Sequence, residues 1–188
     1  MARPREFDID TALARALDVF WEKGYDDASL PDLLEGMKLT RGSLYKAFVD
    51  KKTLYLRVLE QYDEKAVNEA VSLLTAPGTD GWVRIQELFR AITDVVEQGD
   101  RRGCLLCSAA AGPAAIDPEI GAAVASALGR MHGGFCSAIE DSSHPQNAQS
   151  LAHLLVNQYV GHRIMARAGA SLDMLRQSCA ALEYLRAK

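Results

Sequence analysis

The stretch from Ser29 to Leu56, SLPDLLEGMKLTRGSLYKAFVDKKTLYL, constrains this chain most, because it places two helix starts so close together that neither helix can be long. Ser29 is a good N-cap, since its hydroxyl can accept from a free amide of the first turn, and Pro31 and Asp32 suit that turn. Leu30, Leu33, Leu34 and Met37 follow at three- and four-residue spacing and lay one apolar stripe on a helix too short to be stable alone. It must pack on a neighbour. Residues 36–39 make a short connection, and Thr40 caps the next helix, Arg41-Gly42-Ser43-Leu44-Tyr45-Lys46-Ala47-Phe48. Leu44 and Phe48, four apart, face the small core, and Thr40, Arg41, Ser43, Tyr45 and Lys46 point outward. Two short helices on a tight turn, followed by the basic start of a third, form a helix-turn-helix pattern, and the outward residue types suit phosphates and base edges.

Charge agrees with that reading. Between Lys38 and Arg57 six basic side chains (Lys38, Arg41, Lys46, Lys51, Lys52, Arg57) stand against one acid, Asp50, a local charge of +5 in a chain of net charge −4. An acidic protein with one basic patch is suited to binding a polyanion at one surface, with affinity that falls as salt rises. The competing reading makes Lys51, Lys52 and Arg57 an ordinary solvated helix face. The turn and the Tyr45-x-x-Phe48 core weigh against it.

Over residues 10–62 these features resemble the N-terminal domain of TetR-family transcriptional regulators. The resemblance rests on Ala12-Leu13-x-x-Ala16-Leu17-x-x-Phe20-x-x-x-Gly24-Tyr25, then Ser29-Leu30-x-x-Leu33-Leu34, then Thr40-Arg41-Gly42-Ser43-Leu44-Tyr45-x-x-Phe48-x-x-Lys51-x-x-Leu54. It implies a homodimer whose third helices enter the major groove of a roughly palindromic double-stranded DNA operator. It also implies repression relieved when a small-molecule effector binds the C-terminal domain. By position, Thr40, Arg41, Gly42, Ser43, Tyr45 and Lys46 would face DNA, with Lys51 near a phosphate at the start of the fourth helix. Lys38 departs from the family, which usually has Gly there; a positive φ at that residue would cost on the order of 1 kcal/mol, and its ammonium is a further candidate phosphate contact.

At 188 residues and 48% hydrophobic content, the chain can bury a large core and fits a small domain at 1–50 and a larger one at 51–188. Met1 to Phe7 carries charge with no apolar run behind it, so no secretion signal or membrane span is expected and a cytoplasmic protein is. Arg3 and Arg5 are candidates for an arm reaching DNA, against the commoner frayed terminus. No apolar–polar alternation suggests strands, and the class expected is all-α: an N-terminal three-helix DNA-binding domain plus a C-terminal helical ligand-binding and dimerisation domain. Helices are expected at about 51–74, 82–97, 104–111, 117–139, 147–167 and 172–186, with a loop at Ser142-Ser143-His144-Pro145.

The last two of these helices carry apolar stripes, among them Leu151, Leu155 and Met165, then Leu175, Cys179 and Leu182, which suit a four-helix seam between subunits or packing within one chain. Two-fold symmetry also matches a palindromic operator. Cys104 and Cys107 lie three apart at a helix start beside Arg101 and Arg102, an arrangement that lowers a thiol pKa and suits sensing of oxidants or electrophiles; packing is the blander reading. With His132 and Cys136 they would form a Cys3His set of zinc or copper(I) donors, if the two pairs meet. Trp82, Phe89, Cys104, Cys107, Met131, Phe135, Tyr159, His162 and Arg163 have the composition of an apolar effector pocket, and equally of a core. Arg163 is suited to an acidic ligand or to Glu183.

Three functions follow: a ligand- or thiol-released repressor, a thiol-redox enzyme on Cys104 and Cys107, and a helical interaction module that leaves DNA alone. The enzyme reading suffers because such dithiols normally follow a strand, and no hydrolase, phosphate-loop or paired-carboxylate motif occurs. No enzyme and no cofactor is expected. The mechanism expected is a population shift in which the helix starting near Lys51 moves and separates the two readers beyond one turn of DNA, ~34 Å.

Overall fold

Most of the helices begin where a side chain accepts from the first turn: Asp8, Ser29, Thr40, Asp50, Asp80, Asp117, Asn147 and Ser171 all do so. The computed structural model describes residues 7–143, 145 and 147–186, and these are helical throughout with no strand among them. The N-terminal unit is α1 (Ile9–Asp27), α2 (Leu30–Met37) and α3 (Arg41–Phe48), and α4 (Lys51–Tyr62) leads out of it. There follow α5 (Asn68–Leu74), α6 (Gly81–Glu97), α7 (Leu105–Ala111), α8 (Pro118–Glu140), α9 (Ala148–Arg167), α10 (Leu172–Ala180) and α11 (Glu183–Arg186).

The first unit closes on Ala16, Phe20, Leu33, Met37, Leu44, Phe48 and Leu54, all buried, as the apolar spacing predicts. Gly36 permits the closest approach, since a Cβ there would lie 2.4 Å from a Val19 methyl carbon. α2 runs on to Met37, so the connection to α3 begins at Lys38 and not at Gly36. The remaining helices gather round α8, which packs on α4, α5, α6, α7 and α9. One apolar core runs on from the first unit into the second, from Ala12 to Leu182.

Four details differ from the sequence expectations. The helix expected over 51–74 contains a π-helical turn, Asp63–Val67, between α4 and α5. A short 3-10 turn, Pro113–Ile116, precedes α8. The last helix breaks at Ala181–Leu182, where the Leu182 amide bonds the Cys179 carbonyl, one residue tighter than an α-helix. Arg84 is buried, and its guanidinium ties the Ala76 carbonyl after α5 to Asp141 at the end of α8.

The proposed seam also changes. Leu155, Leu175 and Leu182 are buried in their own chain, and Leu151 and Cys179 are half-buried against the same core, so these stripes face inward. Of the expected set only Met165 is exposed; Leu154, Met174 and Tyr184 are the other large apolar side chains left open on these helices. Periodicity found the stripe but not the side that its own subunit covers. No helix among the described residues is long and apolar enough to cross a membrane. Arg3, Arg5 and His144 lie outside the described residues.

Candidate nucleic-acid interface and thiol cluster

The reader helix starts on Thr40, whose hydroxyl accepts from the Ser43 amide at 3.2 Å and sits 3.0 Å from the Ser43 hydroxyl. Ser43 is therefore half-buried and already partnered. Lys38, Thr40, Arg41, Gly42, Tyr45 and Lys46 are exposed together on the opposite side from Leu44 and Phe48. The Arg41 guanidinium lies 5.7 Å from the centre of the Tyr45 ring, close enough to hold both groups on one surface.

The basic patch is smaller than its sequence count. Lys52 pairs with Asp117 at 3.3 Å and with Glu119, and Arg57 pairs with Glu60 at 3.2 Å. Lys51 turns back onto α1, donating to the Asp26 carbonyl at 3.3 Å and lying 4.6 Å from the Tyr25 ring centre. Lys38, Arg41 and Lys46 have no ion-pair partner among the described residues, so they carry the free positive charge. Lys51 instead ties the start of α4 to the end of α1.

Two backbone positions flanking the reader are strained. Lys38 closes α2 in the left-handed region at φ 56, ψ 42, the conformation that the family's usual Gly would adopt freely. Val49, at φ 63 and ψ −59, occupies a tight three-residue turn in which the Asp50 amide reaches the Phe48 carbonyl at 2.6 Å. Its side chain is 71% exposed. Nothing in the sequence marks this position, because a β-branched residue is the least expected type for positive φ.

In the second unit, Cys104 is the N-cap of α7 and Cys107 lies one turn on, both buried and unbridged. Tyr62 from the end of α4 and Tyr159 and Arg163 from α9 close round them. The hydrogen bond from Cys107, then the positive charge of Arg163 and a hydrogen bond from Tyr62, hold Cys104 well below the usual thiol range despite its burial. Cys107, as the donor, is pushed up by the same bond and by burial. Arg163 lies over Tyr159, 5.4 Å from the ring centre, and its buried Nε has no partner. Glu183, the acid suggested for it, accepts from Gln86 instead. Sequence spacing brings out the cysteines; Tyr62 is missed, since nothing local links it to them.

The other suggested pocket residues form core. Phe89 stacks on Phe135 at 6.3 Å and meets His162 edge-on at 5.8 Å, and Trp82 on α6 and Met131 on α8 are buried. His162 sits 3.3 Å from the Thr93 hydroxyl and 3.8 Å from the Cys179 sulfur, and burial favours its neutral form. The Cys3His set does not assemble. His132 contacts Cys136 at 3.8 Å and lies against His153, 4.1 Å between ring centres and tilted, whereas Cys104 and Cys107 lie together beside Tyr62 and Arg163. No three His, Cys, Asp or Glu among the described residues are placed to hold a metal ion.

Comparison with known proteins places these features. Residues 12–58 match the model of bacterial regulatory proteins of the tetR family. An uncharacterised helix-turn-helix-type transcriptional regulator of Bacillus subtilis, YezE, is 32% identical over 64% of this chain, and the match spans 62% of that relative, just under two thirds of its length. The transcriptional repressor ComR of Escherichia coli is 27% identical over 93% of this chain and 87% of its own. Among solved structures, a cysteine mutant of the regulator CifR, complexed with 26-base-pair double-stranded operator DNA, is 29% identical with a TM-score of 0.79, covering 95% of this chain and 99% of that one.

Proposed function

The chain belongs to the TetR family of bacterial regulatory proteins, and from that premise we propose that it is a transcriptional repressor which binds a roughly palindromic operator as a homodimer. Residues 1–50 read DNA, and residues 51–188 sense and dimerise. The observation that carries this is the exposed face of α3, where Arg41, Tyr45 and Lys46, with Thr40 and Lys38 at its start, are exposed on a helix anchored by buried Leu44 and Phe48. Arginine and lysine there supply phosphate and guanine contacts, and Tyr45 supplies an apolar face with a hydroxyl. CifR, a similar protein, is complexed with operator DNA, which supports a DNA-binding reading of this chain. The exposed Leu154, Met165, Met174 and Tyr184 on α9 to α11 supply the apolar part of the subunit contact.

Release comes from Cys104. Its thiolate is the nucleophile of the sensor unit, and a covalent adduct on sulfur removes the negative charge that faces Arg163 and adds bulk beneath Tyr62. Tyr62 ends α4, the helix that begins at the reader, so repacking there moves the reader against its twin. The test is a mobility shift with DNA flanking the protein's own gene, with and without thiol-reactive and small organic compounds. Specific binding lost with a thiol reagent, and retained by Cys104→Ser, is the expected result. Absence of binding even at low salt overturns the repressor reading; release unchanged in Cys104→Ser removes that cysteine as sensor.

A further inference from the structure

The end of α1 is finished from the second unit. Gly24, at φ 81 and ψ 172, breaks the helical geometry of α1 short of its last residue, and carbonyls at such a break need donors from elsewhere. Arg167, in the last turn of α9, supplies them: its guanidinium donates to the Trp21 carbonyl at 2.9 Å and the Glu22 carbonyl at 3.2 Å, and also to the Arg102 carbonyl at 2.9 Å. One side chain thus joins α1 to the segment between α6 and α7 that ends at Cys104. Arg102 adds its own side chain to this clamp. It bonds Asp100 at 2.8 Å, reaches Asp18 of α1 at 3.2 Å and lies 4.3 Å from the centre of the Trp21 ring.

Cys104 meets the clamp from two sides. Tyr62, which faces the thiol, lies edge-on to Trp21 at 5.1 Å between ring centres, while Arg102, two residues before Cys104, covers the same tryptophan. Gly103 leaves no slack between Arg102 and Cys104. Its φ is 76, and a Cβ on it would lie 3.0 Å from the Arg163 carbonyl oxygen and 3.3 Å from the Arg167 Cβ, so the main chain here is pressed onto α9. On the reader's side α1 is bound to α4, since Phe20 and Tyr25 each lie 4.8 Å from Tyr55 between ring centres. A displacement of Tyr62 alone would have to shear α4 past α1 across those rings.

We propose that Arg102 and Arg167 are positioning residues of the thiol switch: they carry a change at Cys104 to the end of α1, beside the route along α4, so that the reader turns as one body. Bulk on the Cys104 sulfur shifts Tyr62 and the Arg102–Cys104 segment together, and both bear on Trp21. Arg167 makes the coupling firm, because its three acceptors lie on both sides of the junction. The effect at the operator rests on the repressor reading, whereas the response of α1 rests on these contacts alone.

The test is hydrogen exchange of the full-length protein, read by mass spectrometry, with Cys104→Met as a permanent, bulkier and uncharged side chain at the sensor. Exchange of the amides at the end of α1, residues 21–27, is expected to rise at least fivefold in Cys104→Met over wild type. Arg167→Met raises it by itself, as any structural role would, but adding Cys104→Met to Arg167→Met is expected to change it less than twofold, while the end of α4 still responds. An α1 end that ignores Cys104→Met, or that responds equally with and without Arg167, overturns the proposal. Should Cys104→Met fail to fold, alkylation of Cys104 by iodoacetamide takes its place in the same comparison. Mobility shift on these variants separates the two ideas. Operator affinity indifferent to Cys104, with α1 exchange coupled as expected, upholds the clamp and removes Cys104 as the releasing group. Release by Cys104→Met that is equal in both backgrounds keeps the repressor and overturns transmission through Arg167. Absence of DNA binding in wild type counts against the repressor reading alone, since the exchange comparison needs no DNA.

Discussion

The reader face and the thiol cluster use charge in opposite surroundings. Lys38, Arg41 and Lys46 stand in water, where any single ion pair contributes little and the benefit comes from many counterions released from DNA at once. Arg163 packs over a buried tyrosine beside a buried thiol, and there its charge changes the chemical state of one atom, Cys104. Under the proposed function, the exposed charge sets how tightly and at what salt DNA is held, and the enclosed charge sets how readily Cys104 reacts.

The sharpest way to test the contrast is within the reader itself. Leu44→Ala, in its core, should lower stability by about 2–5 kcal/mol in a thermal or denaturant melt. Tyr45→Ala and Lys46→Ala, beside it but exposed, should leave the melt within about 0.5 kcal/mol. Each should instead weaken operator binding by about 1–3 kcal/mol, and Lys46→Ala should reduce the salt slope by about one. Equal melts for Leu44→Ala and Lys46→Ala would erase the distinction.

Arg163→Leu probes the enclosed half. Because the folded Cys104 pKa lies below its unfolded value, the ionised thiol contributes stability at pH above the unfolded value, near ~8.5, and the contribution is lost as pH falls through the folded one. In the variant, the midpoint of Cys104 alkylation should rise towards that ordinary value, with operator affinity of the reduced protein unchanged. A midpoint that does not move would assign the depressed pKa to Cys107 and Tyr62 alone. The smallest effects are expected from the strained turns. Val49→Gly and then Lys38→Gly should each raise stability by about 1 kcal/mol, because both residues hold positive φ, and a melt lowered by either would deny the strain.

How far the sequence spoke depended on how local the cause was. Ser29, Thr40 and Asp50 cap helices through bonds to residues three positions on, so the reader could be laid out from the chain alone. Distant meetings left no such mark. Tyr62 reaches Cys104, Arg84 reaches Asp141 and Arg167 reaches Trp21 only because the helices fold together. The six basic residues of the reader looked equivalent until Asp117, Glu119 and Glu60 claimed Lys52 and Arg57. Leu155 and Leu175 have the spacing of a seam, and only the packing of α6 and α8 decides that they face home.

The π turn at Asp63–Val67 has a mechanical meaning for the helix that joins the two units. One residue more than an α-helix needs turns every side chain beyond it by about 100° round the axis, so α4 and α5 are one rod with two phases. The turn is held from outside by Arg130 of α8 on Asp63 at 2.7 Å, and from within the rod by the Asn68 side-chain amide, which donates to the Glu64 carbonyl at 2.5 Å. If the surplus residue migrates along the rod, the two phases slip by one rise, about 1.5 Å, and not by any fraction of it. A motion carried along this rod in that way would have discrete stops in place of a continuous bend.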